Sequence, residues 1–258
     1  MTTDLSNLDP TGRFSGLAKV YAKARPSYPD SAIDFIVTKC ALSSNSLIAD
    51  IGCGTGISSR LFAKRGIAVL GIEPNDEMRK SAQSENESAP IEGLRYLKAT
   101  AEHTELQDAS VDLVLAAQAF HWFRAEPTLK EFQRIIKPGG WCALMWNERD
   151  DSDTFTNEYS KLLHALPNTA SVEMKRGVSG VALLESDLFS EAQKVLFANE
   201  QIVDKDGLLA RAFSASYVPQ KGEVAEKFAH DLRALFARCA KGGKVAIKYE
   251  TSVYLAKR

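Results

Sequence analysis

An apolar segment that ends in three alternating glycines constrains this chain more than any other feature. Residues Leu47–Ile51 are followed by Gly52, Gly54 and Gly56 and then by a helical pattern. Glycine lacks a Cβ and readily adopts positive φ, so such a strand-to-helix turn leaves backbone N–H groups open to a ligand. Glu73 ends the next apolar run, twenty-one residues after Gly52, which fits one crossover helix and a parallel strand. A carboxylate there can accept hydrogen bonds from two ribose hydroxyls, and the sequence predicts a nucleotide-type cofactor pocket.

Strands and helices alternate along the chain up to about residue 146. The run Val111–Ala117 is almost continuously apolar, which is typical of a parallel sheet covered on both faces. This alternation predicts an α/β, doubly wound fold in a single domain. We expect Asp30 to cap the first helix. Predicted strands lie at 47–51, 67–72, near 94–98, 111–117 and 141–146, predicted helices at 31–40, 56–65, 75–84 and 125–136, and a turn at 137–140.

The C-terminal third departs from this alternation. A segment at 152–181, with a predicted helix near 155–165, is inserted before a strand near 194–203 and is expected to form a cap. Residues 1–30 are predicted to form an N-terminal arm. A later helix, followed by a final strand, carries an apolar stripe of Val224, Phe228, Leu232, Leu235, Phe236 and Cys239.

Charge and composition argue against several classes of protein. The 32 Lys and Arg residues nearly balance 33 Asp and Glu residues, so we expect no binding to nucleic acid or to an anionic membrane. No run approaches the roughly 18 apolar residues that span a bilayer, and the first residues lack a signal-peptide pattern. The four cysteines form no C-x-x-C pair, so neither a metal site nor a disulfide is expected. These features predict a cytoplasmic protein.

Several short motifs follow one another in an informative order: 50–56 (DIGCGTG), 73–74 (EP), 101–102 (AE), 110–114 (SVDLV), 118–123 (QAFHWF) and 137–140 (KPGG). Together they resemble the class I S-adenosylmethionine-dependent methyltransferases, in the branch called methyltransferase type 11. The segment 21–29 (YAKARPSYP) and the His-Trp-Phe triplet are most similar to relatives of trans-aconitate methyltransferase. The resemblance implies a seven-stranded, mostly parallel sheet with its last strand antiparallel, helices on both faces and a small cap.

The same resemblance implies a set of site residues. S-adenosyl-L-methionine would be the cofactor, S-adenosyl-L-homocysteine the product, and a small molecule the acceptor. The arm would fold over the cofactor, where Arg25 suits either the methionine carboxylate or an anionic acceptor. The expected cofactor-binding residues are Tyr21, Arg25, Asp50, Gly52, Gly54, Gly56, Glu73, Ala101, Glu102 and Gln118, and the expected acceptor-binding residues are Tyr28 and Trp122.

His121 is the candidate catalytic base. Methylation of a carboxylic acid oxygen, the favoured reaction, needs no base, whereas C- or O-methylation of a phenol or quinone precursor needs one. Trp122 offers an aromatic face to a sulfonium, although packing alone also explains it. Asp50 is expected to contact the methionine amino end, and a local capping role for it remains open.

Three other functions share some of these sequence features. A dehydrogenase would carry G-x-G-x-x-G, but Ile57 stands where the third glycine would be. An amino-methylating nucleic-acid enzyme would carry an Asn/Asp-Pro-Pro-aromatic motif, but residues 117–120 are AQAF. A non-catalytic S-adenosylmethionine-binding module would share the cofactor motifs, and only the cap and the aromatic triplet argue against it.

Overall fold

One mixed sheet of seven strands organises the structure, a computed structural model that describes residues 24–167, 179–215 and 217–258. The strand order is β3-β2-β1-β4-β5-β7-β6, and β7 alone runs antiparallel to the other six strands. The predicted doubly wound sheet with an antiparallel last strand is therefore confirmed. The strands are β1 (Leu47–Ile51), β2 (Ala68–Ile72), β3 (Leu94–Leu97), β4 (Val111–Ala117), β5 (Ile136–Arg149), β6 (Ser190–Val203) and β7 (Val245–Lys257).

Helices cover both faces of this sheet. Ile33 and Phe62 lie in the buried cluster on one face, and Phe132 and Leu183 lie in the cluster on the other. The near-continuous apolar composition of β1 and β4 follows from burial on both sides. The helices are α1 (Asp30–Lys39), α2 (Ile57–Ala63), α3 (Asp76–Ser88), α4 (Ala125–Ile135), α5 (Thr154–His164), α6 (Val181–Leu184), α7 (Lys205–Phe213) and α8 (Glu223–Cys239), with a short 3₁₀ helix at Phe120–Trp122.

The start of α1 differs from the prediction. Pro29 occupies the N-cap position, and no side chain caps the helix. Asp30 is the first helical residue, and its carboxylate accepts a hydrogen bond from Arg65 at 2.8 Å. An acidic residue in the first turn is still favoured by the helix dipole, which explains why the pattern looked like a cap.

A third buried cluster forms a cap at the carboxyl edge of the parallel strands. It joins α5, α7 and α8 to the end of β6 and the start of β7, through residues such as Tyr159, Leu208, Leu232 and Tyr249. Because β7 is antiparallel, its first residues lie at the edge where the parallel strands end. The cap is thus larger than the predicted segment 152–181, of which residues 168–178 lie outside the described residues.

The buried face of α8 differs from the predicted apolar stripe at one position. Val224 is exposed, whereas its neighbour Ala225 is buried with Phe228 and Leu232. Ala225, Phe228 and Leu232 follow the i, i+3, i+7 spacing of one helical face, and Val224 falls outside it.

Strand β5 is longer than predicted. Its pairing with β4 shifts between Val111↔Ile136 and Leu113↔Trp141, so the predicted turn at 137–140 is a bulge inside the strand. At its other end β5 runs on to Arg149, opposite Tyr249 of β7. This extension carries polar side chains past the edge of the parallel strands and into the cap.

Candidate active site

The turn between β1 and α2 has three glycines with positive φ, and their surroundings differ. Gly52, Gly54 and Gly56 have φ of 68°, 56° and 78°. A Cβ on Gly52 would lie 2.7 Å from Cβ of Ala119, and one on Gly56 would collide with the hydroxyl of Tyr96. A Cβ on Gly54 would meet nothing within 4 Å. Gly54 is therefore the position where the backbone itself borders open space.

That open space belongs to a cavity of about 390 Å³ at the carboxyl edge of the sheet. Gly52, Gly54 and Glu73 line one side of it, and residues of β5, β7 and the cap helices line the other. β1 and β4 are neighbours with their crossovers on opposite sides, which is where doubly wound folds bind ligands. The predicted pocket and the cavity therefore coincide. The predicted cavity residues Arg25, Tyr28, Gly52, Gly54, Glu73, Ala101, Glu102, Gln118 and Trp122 line it, whereas Asp50, Gly56 and His121 do not.

Glu73 holds the glycine turn directly. Its carboxylate accepts hydrogen bonds from the backbone N–H of Gly54 and of Asn75, both at 2.9 Å. The side chain is buried, and burial raises the pKa of Glu73 while these two N–H groups oppose the rise. The carboxylate thus lies beside the turn as predicted, within reach of a ligand in the cavity.

Asp50 lies one layer behind the cavity. It is completely buried, and its Oδ2 accepts hydrogen bonds from the hydroxyls of Ser58 at 2.7 Å and Ser59 at 2.6 Å. Burial raises its pKa to about 6. Ser58 lines the cavity, so Asp50 meets that space through Ser58 and fixes the first turn of α2.

Gln118 follows β4 in a left-handed conformation, with φ of 58°. Its backbone N–H donates to the carbonyl of Met145 at 2.8 Å, and its side-chain amide donates to the carbonyl of Asn147 at 3.2 Å. A non-glycine residue at positive φ is held there by its surroundings. Both bonds tie the end of β4 to the extended β5, which places Gln118 in the cavity wall.

Ala101 and Glu102 lie in the loop after β3, close to Glu73 along the cavity wall. The Glu102 carboxylate accepts a hydrogen bond from the backbone N–H of Arg124 at 3.2 Å and lies 3.6 Å from its guanidinium. The side chain of Glu102 therefore already has a structural partner.

The aromatic triplet after β4 is divided between cavity and core. Trp122 and Phe123 line the cavity, but the structure places His121 elsewhere. His121 is only 5% exposed, and its Nδ1 accepts a long hydrogen bond of 3.4 Å from Nε1 of Trp146. The 3₁₀ helix turns successive side chains in different directions, which is why one member of the triplet faces inward. The candidate base is therefore not a cavity residue.

The segment that precedes α1 closes one side of the cavity. Gln201 donates to the carbonyl of Ala24 at 3.0 Å, and Asn147 and Asn199 both donate to the carbonyl of Ser27, at 3.1 and 2.9 Å. These bonds attach the segment to the ends of β5 and β6. Arg25 and Tyr28, two predicted site residues, line the cavity in this segment, and Tyr21 lies outside the described residues.

The extended end of β5 and the cap contribute cavity residues that were not predicted from the sequence, among them Asn147, Arg149, His164, Arg211 and Tyr249. Asn147 and Arg149 follow the predicted end of β5, so the rule that selected Gln118 also applies to them. No such signal marks the other three residues, because only the packing of α5, α7 and β7 brings them to the cavity.

None of the helices in the described ranges is long and apolar enough to cross a membrane. Within those ranges, no group of three or more His, Cys, Asp or Glu side chains is arranged to hold a metal ion.

Comparison with known proteins is consistent with this geometry. Residues 49–144 match the family described as "Methyltransferase domain". An uncharacterized methyltransferase of Schizosaccharomyces pombe is 36% identical over 144 residues, 55% of this chain and 54% of the relative. A second from the same yeast is 32% identical over 181 residues, 67% of this chain and 70% of the relative. The chain thus spans about half the length of the first of these relatives.

A solved structure gives the same fold. A type II methyltransferase candidate from Anaeromyxobacter dehalogenans superposes with a TM-score of 0.61 at 24% identity, covering 91% of this chain and 96% of that one. The family match covers residues 49–144, which include the glycine turn and Glu73, and the two yeast relatives are both methyltransferases by name. This chain is a member of the S-adenosylmethionine-dependent methyltransferase family.

Proposed function

We propose that this protein transfers the methyl group of S-adenosylmethionine to a carboxylate oxygen of a small organic acid. One observation carries the proposal: a single cavity connects the glycine turn and Glu73 with a wall that contains Arg25, Arg149 and Arg211. The first side suits an adenosyl cofactor, and the second suits an anionic acceptor. The resemblance to relatives of trans-aconitate methyltransferase supports the same class of acceptor.

The residues around the glycine turn fit the cofactor. The backbone at Gly54 borders open space, and the Glu73 carboxylate beside it can accept hydrogen bonds from ribose hydroxyls. In this proposal Ala101 and Glu102 flank the adenine, and Gln118 lies near the methionine part. Asp50 acts on the methionine amino end through Ser58, whose hydroxyl it orients.

The N-terminal segment completes the proposed site. Arg25 and Tyr28 lie in the cavity wall and are held there by the bonds from β5 and β6 to Ala24 and Ser27. We propose that the arm, including Tyr21, covers the cofactor. Trp122 and Phe123 add an aromatic wall that excludes water from the reacting atoms.

The bound cofactor supplies a methyl group on a sulfonium, which is an excellent leaving group. The protein's task is then to hold an acceptor oxygen in line with that methyl group and to keep water away. A carboxylate is already ionised near neutral pH and needs no base. The burial of His121 outside the cavity agrees with such an acceptor, whereas a phenol would require a base.

The experiment is a methyl-transfer screen with radiolabelled S-adenosylmethionine. Carboxylic acids, phenols and quinone precursors are offered in parallel, and S-adenosylhomocysteine release is measured against an acceptor-free control. We expect base-labile methyl esters from the acids. Turnover restricted to phenols or quinone precursors would contradict the acid acceptor. Binding of S-adenosylhomocysteine with no turnover above the control would favour the non-catalytic module.

A variant of His121 tests the same point from the protein's side. We expect His121→Gln to lower stability, because a packed ring is lost, while kcat on an accepted acid stays within about threefold of wild type. A kcat loss of about 100-fold in a folded variant would assign the histidine to the chemistry and contradict this account.

A further inference from the structure

Arg211 is a buried cation for which the described residues supply no carboxylate. It lies on α7, it is only 6% exposed, and it lines the cavity. Its one polar partner there is the hydroxyl of Tyr249, which accepts a hydrogen bond from Nε at 3.1 Å. A guanidinium stays charged in proteins, and a charge removed from water without a counter-ion is costly. The site is therefore incomplete without an anion.

Aromatic rings rather than acids surround this guanidinium. Its Cζ lies 5.9 Å from the centre of the Tyr249 ring, and Tyr159 and Tyr217 also lie near it. The rings hold Arg211 in place but leave its full charge. Because Nε is used by Tyr249, the two terminal nitrogens remain to grip a planar anion with parallel hydrogen bonds.

Other arginines of the cavity have acids or carbonyls beside them. Arg124 lies near Glu102, and Arg149 donates to the hydroxyl of Ser160, which in turn donates to Asp151. Arg25 donates to the carbonyl of Ser214, just beyond the end of α7. Arg25 therefore contacts the C-terminal end of the helix that carries Arg211, and both side chains line the cavity.

We infer that Arg211, oriented by Tyr249, binds a carboxylate of the acceptor other than the one that is methylated. This inference rests on the proposed function and specifies its substrate class as acids with two carboxylates. The anchor and the reacting group lie on different walls, because Arg211 belongs to the cap and the glycine turn to the sheet.

The chemistry explains why the anchored carboxylate is not the nucleophile. Two guanidinium N–H groups withdraw electron density from the carboxylate oxygens that they bind, so these oxygens are weaker nucleophiles than those of a free carboxylate. Esterification would also cancel its charge and leave Arg211 buried without an anion. Instead, an oxygen of the free carboxylate forms a bond to the methyl carbon while the carbon–sulfur bond breaks and its electron pair stays on sulfur. The products are a monomethyl ester and S-adenosylhomocysteine, and no proton is transferred.

The test compares acids with one and two carboxylates. Wild type, Arg211→Gln, Arg211→Lys and Tyr249→Phe are assayed with succinate, glutarate and adipate and with the monocarboxylic acids of matching chain length. The exposed Arg233 on α8 provides the control variant Arg233→Gln. We expect wild type to prefer at least one diacid and to stop at the monoester. Loss of Arg211 should raise KM for that diacid about 10- to 100-fold, with a smaller change in kcat, and should erase the preference.

A binding measurement separates this inference from the proposed function. Glutarate, succinate and adipate are titrated calorimetrically into protein saturated with S-adenosylhomocysteine, which requires no turnover. Diacid binding that Arg211→Gln abolishes, with unchanged affinity for S-adenosylhomocysteine, supports the anchor. Arg211→Lys should restore part of it, because charge returns without the planar fork. No diacid binding to wild type, or an unaltered diacid preference in Arg211→Gln, overturns the inference, while ester formation from any acid would still support the proposed function.

Discussion

The two walls of the cavity are built in different ways. On the sheet side, Glu73 is paired with backbone N–H groups, and the glycine turn is held by its own backbone geometry. On the cap side, the cation of Arg211 has no counter-ion and the hydroxyl of Tyr159 has no hydrogen-bond partner among the described residues. The contrast concerns charge: the Glu73 carboxylate has its hydrogen-bond partners before a ligand binds, whereas the Arg211 cation has no counter-ion among the described residues. Neutral polar atoms, such as Oε1 of Gln118 and Oγ1 of Thr55, lack partners on the sheet side as well, within the part of the chain that the structure describes. In the proposed function, the sheet wall binds the cofactor and the cap wall recognises the acceptor.

The largest expected effect comes from removing Glu73 on the sheet side. Glu73→Ala deletes two hydrogen bonds to the glycine turn and the proposed ribose contacts, so affinity for S-adenosylhomocysteine should fall more than about 100-fold. Isothermal titration measures this affinity. Glu87→Ala, which removes an exposed glutamate away from the turn, is the control variant. An affinity within threefold of wild type in a folded variant would show that the two walls do not differ as described.

The raised pKa of Asp50, on the sheet side, should make the free energy of unfolding depend on pH. Burial raises its pKa from 3.8 to about 6, so the folded state holds this proton more tightly than the unfolded chain does. Its contribution therefore favours folding most below about pH 4 and is lost as pH rises through about 6. Relative to Asp50→Asn, wild type should lose up to about 3 kcal/mol of unfolding free energy between about pH 4 and 7. Urea unfolding across that range measures it, and a constant difference would contradict it.

Two glycines of the turn should respond differently to the same substitution, because only one of them has a close neighbour. Gly56→Ala places a Cβ against Tyr96 at positive φ, so the free energy of unfolding should fall by about 2 kcal/mol or more. Gly54→Ala meets no neighbour, so it should cost only the backbone strain of about 1 kcal/mol while its methyl group enters the cavity and weakens S-adenosylhomocysteine binding. Denaturation and titration of both variants test the contrast. Equal losses of stability in the two variants would contradict this difference.

The smallest effect is expected on the cap side. Tyr159→Phe removes a buried hydroxyl that has no hydrogen-bond partner, so stability should rise by up to about 1 kcal/mol. Tyr249→Phe is the matched comparison, because that hydroxyl accepts the bond from Arg211, and stability should fall. Thermal unfolding of the two variants measures whether stability rises in the first and falls in the second. A destabilised Tyr159→Phe would mean that its hydroxyl is in use.

The cavity residues of the sheet wall could be predicted from the sequence because they lie at strand ends within one repeating βαβ pattern. Gly52, Glu73 and Gln118 each follow an apolar run, and the parallel arrangement brings those ends together. A sequence pattern does not define the direction in which each side chain of a short turn points. His121 and Trp122 are adjacent in the sequence, but a 3₁₀ turn sends one into the core and the other into the cavity.

What the sequence determined by itself is the sheet, its glycine turn and the acid beside it, because strand periodicity and glycine's freedom at positive φ are local properties. Only the tertiary structure decided the cap wall. Arg211 and Tyr249 are 38 residues apart and meet because β7 runs antiparallel and α7 packs against its start. A contact of that kind depends on how whole elements pack, and no periodicity or motif in the chain encodes it.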